Sequence, residues 1–205
     1  MQVTADIVLF TIHERRLHVL LIRRAAPPFE GRYALPGGFV LEDESVEQAA
    51  VRELREETGV EKVYLEQLYT FGEPGRDPRG RVVTVAYFAL VPEAAPVRGG
   101  SGAAAAGWFP VDKLPPLAFD HARITKFALE RLRGKLDWSN VGFGLLPQKF
   151  TLPELQAVHE AILGEALDKR NFRRKIQQHG IVKPLKEWRD TGRKPAQLYR
   201  FSAVK

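Results

Sequence analysis

Three glutamates in the first third of the chain have the spacing of a charged cluster. Glu53, Glu56 and Glu57 stand at positions i, i+3 and i+4, so a helix would place their carboxylates on one face within one turn. Like charges this close repel one another, and an oxygen-seeking cation such as Mg²⁺ or Mn²⁺ would offset the repulsion. Arg52 and Arg55 provide an alternative, because they could neutralise the cluster as ordinary surface ion pairs. Spacing alone leaves both interpretations open.

The residues around the cluster predict the helix that would carry it. Ser45 and Gln48 have the spacing of a capping box, and Gly59 stands where a C-cap glycine is expected. The helix would bury an apolar stripe formed by Val46, Ala49, Ala50 and Leu54. Just upstream, Gly37 and Gly38 allow backbone conformations that other residues avoid.

Further periodic segments surround this helix. Alternating apolar residues predict strands over 3–11, 17–23, 63–71 and 81–91, and an amphipathic pattern predicts a helix over 120–136. Residues 92–107 are rich in proline, glycine and alanine, which predicts a mobile surface loop. Strands mixed with helices in this order indicate an α+β or α/β domain.

The segment that starts at Gly38, GFVLEDESVEQAAVRELREETGV, resembles the Nudix box. Its nine fixed positions are filled by Gly38, Glu44, Arg52, Glu53, Leu54, Glu56, Glu57, Gly59 and Val60. The resemblance implies a Nudix domain over roughly residues 1–145, an α/β/α sandwich in which a mixed β-sheet lies between helices.

The resemblance also implies roles for the box residues. Glu53, Glu56 and Glu57, together with the carbonyl of Gly38, would bind Mg²⁺ or Mn²⁺. Glu44 and Arg52 would form the ion pair that holds the loop on the helix, and would complete the catalytic set. Such a site hydrolyses a nucleoside diphosphate linked to another group, with the metal activating a water molecule. The sequence does not identify the general base, although Glu73 or another loop acid is a candidate.

A basic turn between the predicted strands 63–71 and 81–91 suggests the ligand. Arg76, Asp77, Arg79 and Arg81 lie in a proline-stiffened stretch, and guanidinium groups suit a diphosphate or ribose. A similar Arg-Asp-Pro-Arg-Gly stretch occurs in Nudix proteins that handle ADP-ribose. The alternative is a solvated charged turn.

The 205-residue length favours one or two domains, and the charge distribution favours two. Residues 1–146 carry 18 basic and 19 acidic side chains, whereas residues 147–205 carry 13 basic and 6 acidic ones. The net charge of +6 therefore comes from the last 59 residues. A segment this basic attracts polyanions, although it could also be a solvated basic surface.

The basic segment has the pattern of a winged helix-turn-helix. Thr151 and Glu154 predict a capped first helix, and Asp168 predicts the start of a second helix that ends near Gly180. A hairpin with a basic tip follows. The side chains expected to contact double-stranded DNA are Lys169, Arg170, Asn171, Arg173, Arg174, Gln177, Arg193 and Lys194. The alternative is a basic helical appendage that packs on the first domain or on another protein.

The whole chain resembles the Nudix-related transcriptional regulators. The residues that carry this resemblance are Trp108-Phe-Pro, Asp120-His-Ala-Arg-Ile, Phe150-Thr-Leu-Pro-Glu-Leu-Gln, Asp168-Lys-Arg-Asn-Phe-Arg-Arg-Lys-Ile and Arg193-Lys-Pro-Ala-Gln-Leu-Tyr-Arg-Phe. The resemblance implies a winged helix over residues 146–205, a homodimer, and control of NAD-metabolism genes in response to ADP-ribose or a related nucleotide. Many members have a degraded box. Here the box is intact, so a magnesium-dependent ADP-ribose pyrophosphatase with an accessory basic domain is the alternative.

The composition excludes several other classes. Without cysteine, the chain has no disulfide, thiolate metal site or cysteine nucleophile. No apolar run reaches 18 residues, so we expect no membrane partner. The first residues lack the basic segment of a signal peptide, and we expect a cytoplasmic protein.

Overall fold

The computed structural model describes residues 1–61, 63, 65–92, 97, 99–100, 102–136, 144–190, 192 and 194–202. Its first part is a seven-stranded mixed sheet flanked by two helices. The strands are β1 (Gln2–His13), β2 (Arg16–Arg24), β3 (Tyr33–Ala34), β4 (Gly37–Phe39), β5 (Glu66–Phe71), β6 (Val82–Leu90) and β7 (Ala103–Pro110). The helices are α1 (Val46–Thr58) and α2 (His121–Lys135).

Strand β1 organises the sheet. The main order is β3-β2-β1-β6-β5, with β4 paired to β1 and β7 paired to β2. β1 and β6 run parallel, and the other pairs run antiparallel. Because side chains alternate along a strand, Ile7 and Leu9 pack beneath α1, whereas Val8 and Phe10 pack on the side of α2. This arrangement confirms the predicted α/β/α sandwich.

One predicted element is wrong. Residues 92–107 were expected to form a mobile surface loop, but the strand β7 begins at Ala103 and pairs with β2 along its length. Alanine and glycine have low strand propensity, yet pairing to a buried neighbouring strand outweighs that weak preference. Residues 93–96, 98 and 101 of the predicted loop lie outside the described residues.

The C-terminal part forms a winged helix. It contains α3 (Leu152–Leu163), α4 (Lys169–His179) and an antiparallel sheet of three strands, β8 (Phe150–Thr151), β9 (Val182–Arg189) and β10 (Ala196–Phe201). The strand order is β8-β10-β9, and the hairpin β9–β10 is the wing. This confirms the predicted helix, turn, helix and hairpin. Within the described residues, every helix is too short or too polar to cross a lipid bilayer.

The two parts share one apolar cluster. Leu132 of α2, Leu155 of α3 and Phe172 of α4 belong to the same set of buried side chains, which also includes Leu145 and Leu146. The expected boundary between residues 145 and 146 therefore crosses packed core. Residues 137–143, shortly before this boundary, lie outside the described residues. The winged helix is thus packed against the Nudix-like part through α2.

Candidate functional site

The box helix α1 begins and ends as its sequence predicts. The Ser45 side chain accepts a hydrogen bond from the Gln48 backbone N–H, and the Gln48 side chain accepts one from the Ser45 N–H. Gly59 ends the helix with a left-handed φ of 74°. Ala49, Ala50 and Leu54 are buried against the sheet. The helix therefore turns its remaining face, with Glu53 and Glu57, toward the strand β4.

The Glu44–Arg52 ion pair forms as expected. The guanidinium donates to both carboxylate oxygens of Glu44, at 2.6 and 2.9 Å, and also to the carbonyl of Phe39 at 3.1 Å. Glu44 accepts a further bond from the Leu41 N–H at 2.9 Å. The Arg52 hydrogen bond, followed by that from Leu41, lowers the pKa of Glu44 to about 2. This pair holds the loop before α1 against the helix.

Two of the three clustered glutamates contact the glycine pair. Glu57 is buried, and its carboxylate accepts a hydrogen bond from the Gly37 N–H at 2.9 Å. Burial raises the pKa of Glu57 to about 8. The Glu53 carboxylate lies against Gly38, where a Cβ atom would approach Glu53 Oε1 to 2.2 Å. Burial also raises the pKa of Glu53, although Arg52 opposes that change.

The glutamate cluster has suitable donors for a hard divalent cation. Its carboxylate oxygens are of the type that Mg²⁺ and Mn²⁺ prefer. Burial raises the pKa of both Glu53 and Glu57, because it disfavours their charged forms. A bound metal ion would offset that cost. Glu56 is more exposed and lies 3.4 Å from Arg52. Within the described part of the chain, no three His, Asp or Glu side chains converge as a formed metal cluster.

The predicted ligand turn divides into buried and exposed arginines. Arg76 is 4% exposed and donates to Asp120 at 2.7 and 3.0 Å, with Asp6 at 3.5 Å. Asp77 is also buried, where it accepts hydrogen bonds from the backbone and side chain of Arg79. Arg81 is exposed and donates to the Gly72 carbonyl. Arg76 and Asp77 thus shape the turn from inside.

Arg79 instead reaches a group of aromatic rings beside the box, formed by Phe39 and Phe119, which we call the aromatic cluster. Its guanidinium lies 4.7 Å from the Phe39 ring centre and 5.5 Å from that of Phe119. Arg24, at the end of β2, lies 5.0 Å above the same Phe119 ring. Burial, followed by the charge of Arg79, lowers the pKa of Arg24. Two adjacent guanidinium groups therefore lie on the aromatic cluster, a combination of groups that suits an anionic, planar ligand.

Sequence reasoning missed Arg24, Phe39 and Phe119. Phe39 lies within the box segment, but Arg24 and Phe119 are far from it along the chain, and no local spacing joins the three residues. Phe29 and Phe119 are in edge contact at 5.0 Å, and both have positive φ values, 63° and 51°. Such backbone conformations are uncommon for bulky residues and often occur at binding sites. This was a signal that only the structure could supply.

A buried polar network lies next to the aromatic cluster, where the rings of Phe119 and His121 are 5.2 Å apart. His121 accepts a hydrogen bond from the Leu35 N–H through Nδ1 at 2.9 Å, and its Nε2 lies 3.8 Å from Asp6. Burial lowers the pKa of His121, so the ring is neutral at pH 7 with its proton on Nε2. Asp6 also lies close to Gly37, where an added Cβ atom would come within 2.7 Å of its carboxylate. The network joins the start of α2 to the glycine loop.

Helix α2 connects this region to the winged helix. At its start, Arg76 holds Asp120, and Arg123 pairs with Glu73 at 2.8 Å. Near its end, Arg133 donates to the carbonyl of Ile162 in α3 at 2.9 Å. One helix therefore contacts both the turn at residues 73–76 and the winged helix.

Helix α4 has the predicted amphipathic form. Asp168 caps it by accepting from the Asn171 N–H at 2.8 Å, and Phe172 and Ile176 are buried. Of the expected DNA contacts, Arg173 is half-buried, while the exposed ones are Lys169, Arg170, Asn171, Arg174, Gln177 and Lys194. Arg174 donates to the Asn171 side chain at 3.0 Å. Arg193 lies outside the described residues.

Both parts of the chain match known families. Residues 1–128 match the NUDIX domain, and residues 142–201 match the NrtR DNA-binding winged helix domain. The chain is also 38% identical, over 203 residues, to the ADPR responsive transcriptional repressor NtrR of Acinetobacter baylyi, covering 97% of this chain and 81% of that protein. The chain belongs to the NrtR family.

Solved NrtR structures have the same fold. Shewanella oneidensis NrtR complexed with a 27mer DNA matches with a TM-score of 0.81 and 39% identity, covering 98% of this chain and 93% of that one. The Nudix domain of the same protein, complexed with ADP-ribose, matches with a TM-score of 0.61 and 44% identity over 63% of this chain and 87% of that one. The ADP-ribose pyrophosphatase of Methanocaldococcus jannaschii is 44% identical over 115 residues, which cover 56% of this chain and 68% of that enzyme.

Proposed function

We propose that this NrtR-family chain is a transcriptional repressor that binds double-stranded DNA through its winged helix and ADP-ribose through its Nudix domain. The observation that carries the proposal is that Arg24 and Arg79 lie on the aromatic cluster beside an intact box, and that α2 connects this region to the part of the chain with the basic α4. The family, and the complexes known for its relatives, support both ligands.

The ligand would lie between the box and the aromatic cluster. Arg24 and Arg79 would bind the diphosphate, because two neighbouring guanidinium groups gain from an anion between them. Phe119 would pack against a flat part of the nucleotide. We expect Arg79→Ala to weaken ADP-ribose binding by roughly ten-fold or more, the loss of a charge-assisted hydrogen bond. Isothermal titration calorimetry measures this, with Arg131→Ala, an exposed arginine of α2, as the matched control.

Glu53, Glu56 and Glu57 would hold the Mg²⁺ or Mn²⁺ ion with the carbonyl of Gly38. When bound, such an ion neutralises diphosphate oxygens and lowers the pKa of a coordinated water. The Glu44–Arg52 pair keeps the loop in register with the helix, and the Gly37 N–H orients the Glu57 carboxylate. Calorimetric titration with Mn²⁺ and ADP-ribose tests this set, since Glu53→Gln should weaken metal uptake.

Response to the ligand requires that the two sites be coupled. ADP-ribose at the aromatic cluster would shift the turn at Arg76, and with it Asp120 at the start of α2. The same helix would transmit the shift to α3 through Arg133. Linkage requires that DNA change ADP-ribose affinity by the same factor by which ADP-ribose changes DNA affinity. The test titrates ADP-ribose into a protein–DNA complex and analyses the products in the same sample. If the two ligands bind with no mutual effect, the response is refuted although both sites remain.

A second function is supported by one observation. The box is complete, and the aligned Methanocaldococcus jannaschii relative is an ADP-ribose pyrophosphatase. Water would attack one phosphorus of the diphosphate, break its bond to the bridging oxygen, and release AMP and ribose 5-phosphate. Glu56→Gln with Glu57→Gln should abolish this turnover, which ion chromatography of the products measures. Wild-type rates in the double variant would remove both residues from the catalytic set.

The homodimer expected from the family resemblance remains a prediction. Two paired chains would present two copies of α4 to neighbouring half-sites on DNA. Light scattering after size-exclusion chromatography tests it, because a dimer has twice the 23.1 kDa mass of the chain. A monomer at micromolar concentration, with or without DNA, would contradict it.

A further inference from the structure

A cavity lies between α2, α3 and α4, where the two parts of the chain meet, and we call it the junction cavity. Its volume is about 480 Å³, inside the range of roughly 300–1,000 Å³ that is usual for small-molecule sites. Such sites often occur where two domains meet. The described lining residues include none from the glutamate cluster or the aromatic cluster, so the cavity is separate from the proposed ADP-ribose site.

Apolar side chains form most of the wall of the junction cavity. Leu136 at the end of α2 and Phe172 and Ile176 of α4 are buried there. Leu167, in the turn between α3 and α4, is half-buried and lines the same wall. The His159 ring is in edge contact with the Phe172 ring, with 5.1 Å between their centres, so part of the wall is aromatic. The apolar body of a ligand would therefore gain by leaving water for this wall.

A guanidinium group supplies the polar part of the lining. Arg133 of α2 lines the cavity, and its Nε donates to the Ile162 carbonyl at 2.9 Å, so the backbone of α3 holds it in place. Across the described ranges, no carboxylate pairs with Arg133. Asp168, the acid among the described lining residues, already caps α4 by accepting from the Asn171 N–H at 2.8 Å. Lys175 also lines the cavity but already interacts within the protein, so we assign the ligand's anionic group to Arg133.

This combination of groups selects the chemistry of the ligand. An anion gains a charge-assisted hydrogen bond from a guanidinium group, and an apolar body gains from the leucine and aromatic wall. A second ADP-ribose does not suit the cavity, because its ribose and phosphate groups would face apolar side chains.

We propose that the junction cavity binds an organic monoanion with an apolar ring or chain, such as a hydrophobic carboxylate or sulfonate. Its body would pack on Leu167 and Phe172, and its anionic group would meet Arg133. Because the walls come from both α2 and α4, the ligand would act as a second effector that changes DNA affinity. The effector role rests on the proposed DNA binding, whereas binding in the cavity does not.

The test uses the full chain and two probes with the same rings. Anilinonaphthalene sulfonate (ANS) is a fluorescent aromatic monoanion, and phenylnaphthylamine has its rings without the sulfonate. Fluorescence titration should show saturable ANS binding to the wild type. Leu167→Phe, which fills part of the cavity, should weaken binding of both probes by about ten-fold. Arg133→Met should weaken ANS by about ten-fold and leave phenylnaphthylamine unchanged, because only ANS carries the anion.

Matched controls separate cavity binding from other binding. Arg131→Met removes an arginine from the same helix that does not belong to the described cavity lining, so both probes should bind it as they bind the wild type. ANS also binds partly unfolded chains, so thermal melts accompany the titrations. A ligand of the native state raises the thermal midpoint, and ANS should do so for the wild type. The midpoint of Leu167→Phe without ANS should stay close to that of the wild type, because the added ring enters the cavity.

The effector role is measured by fluorescence anisotropy of a duplex that the wild-type protein selects from random sequence. Saturating ANS should change the affinity of the wild type for this duplex by about five-fold or more. Leu167→Phe should bind the duplex as the wild type does, but without a response to ANS.

Several outcomes would overturn the inference. Equal ANS affinity in the wild type and in Leu167→Phe would refute the site, as would a wild-type midpoint that ANS lowers. Equal weakening of both probes by Arg133→Met would refute the contact of the anion with the guanidinium. DNA affinity that does not respond to bound ANS would refute the effector role. If the probes behave as expected but the protein selects no duplex, the proposed DNA binding fails and the cavity site stands.

Discussion

The buried pair of Arg76 and Asp120 should hold both the stability of the protein and the response of DNA binding to ADP-ribose. Arg76 is 4% exposed and makes two hydrogen bonds to Asp120, at 2.7 and 3.0 Å. Replacing Asp120 by alanine leaves a buried guanidinium with Asp6 alone, at 3.5 Å. Removing one partner of a buried pair costs about 3–5 kcal/mol.

The cost of Asp120→Ala isolates the ion pair. Asp120 is the N-cap residue of α2, but its side chain makes no capping hydrogen bond. The expected loss therefore comes from the unpaired guanidinium rather than from the helix end. At about 2–4 °C per kcal/mol for a protein of this size, the thermal midpoint should fall by roughly 10 °C.

An apolar double variant separates stability from signalling. Arg76→Met with Asp120→Leu removes both charges together, and such replacements commonly recover stability. We expect thermal unfolding of the double variant to lie within a few degrees of the wild type. Its ADP-ribose and DNA affinities, measured separately, should persist, but each ligand should lose its effect on the other.

Two results would refute this reasoning. A midpoint for Asp120→Ala within about 2 °C of the wild type, less than 1 kcal/mol, would mean that the pair contributes little to folding. Undiminished coupling between ADP-ribose and DNA in the stable double variant would mean that the signal reaches the winged helix by a route other than the contact of the ligand turn with α2.

Three further predictions concern the box and its surroundings. Because the pKa of buried His121 lies below 6.5, its stabilising effect is complete above pH 6.5 and is lost as pH falls toward the folded-state pKa; His121→Gln should flatten that dependence in thermal melts between pH 5 and 7.5. Gly38→Ala would place a Cβ atom 2.2 Å from Glu53 Oε1, so Mn²⁺ affinity should fall at least ten-fold by calorimetry, whereas Gly134→Ala, which meets open space, should leave it unchanged. Arg173→Ala and Arg174→Ala should each weaken DNA binding in gel shifts and reduce its salt slope by about one, without altering ADP-ribose affinity; unchanged gel shifts would place the recognition surface elsewhere.

Much of the box could be predicted from sequence because its interactions are local. Capping of α1 by Ser45 and Gln48 spans three residues, and the pair of Glu44 with Arg52 spans eight. Helical periodicity places Glu53 and Glu57 on one face without help from the rest of the chain. The same rules predict α4, whose buried Phe172 and Ile176 are one turn apart. Local spacing was enough for these elements.

The aromatic cluster could not be predicted from local sequence, because its contacts join residues that are far apart in the chain. Arg24, Phe39 and Phe119 come from three distant segments, and the sheet alone brings them together. The turn at 76–81 contains three arginines and an aspartate, and the local sequence does not indicate which arginine is buried. Only packing decides that Arg76 is buried against Asp120 while Arg79 lies on the Phe39 ring of the aromatic cluster.

Sequence by itself therefore determined the box helix, its acid cluster and the amphipathic helix α4, because each depends on side chains within two or three turns of one another. Tertiary structure decided that Arg76 is buried while Arg79 lies on the aromatic cluster, that an alanine-rich segment becomes β7, and that α2 contacts both the turn at residues 76–81 and α3. Those outcomes depend on burial, and burial is set by segments far apart in the chain that exclude water from one another.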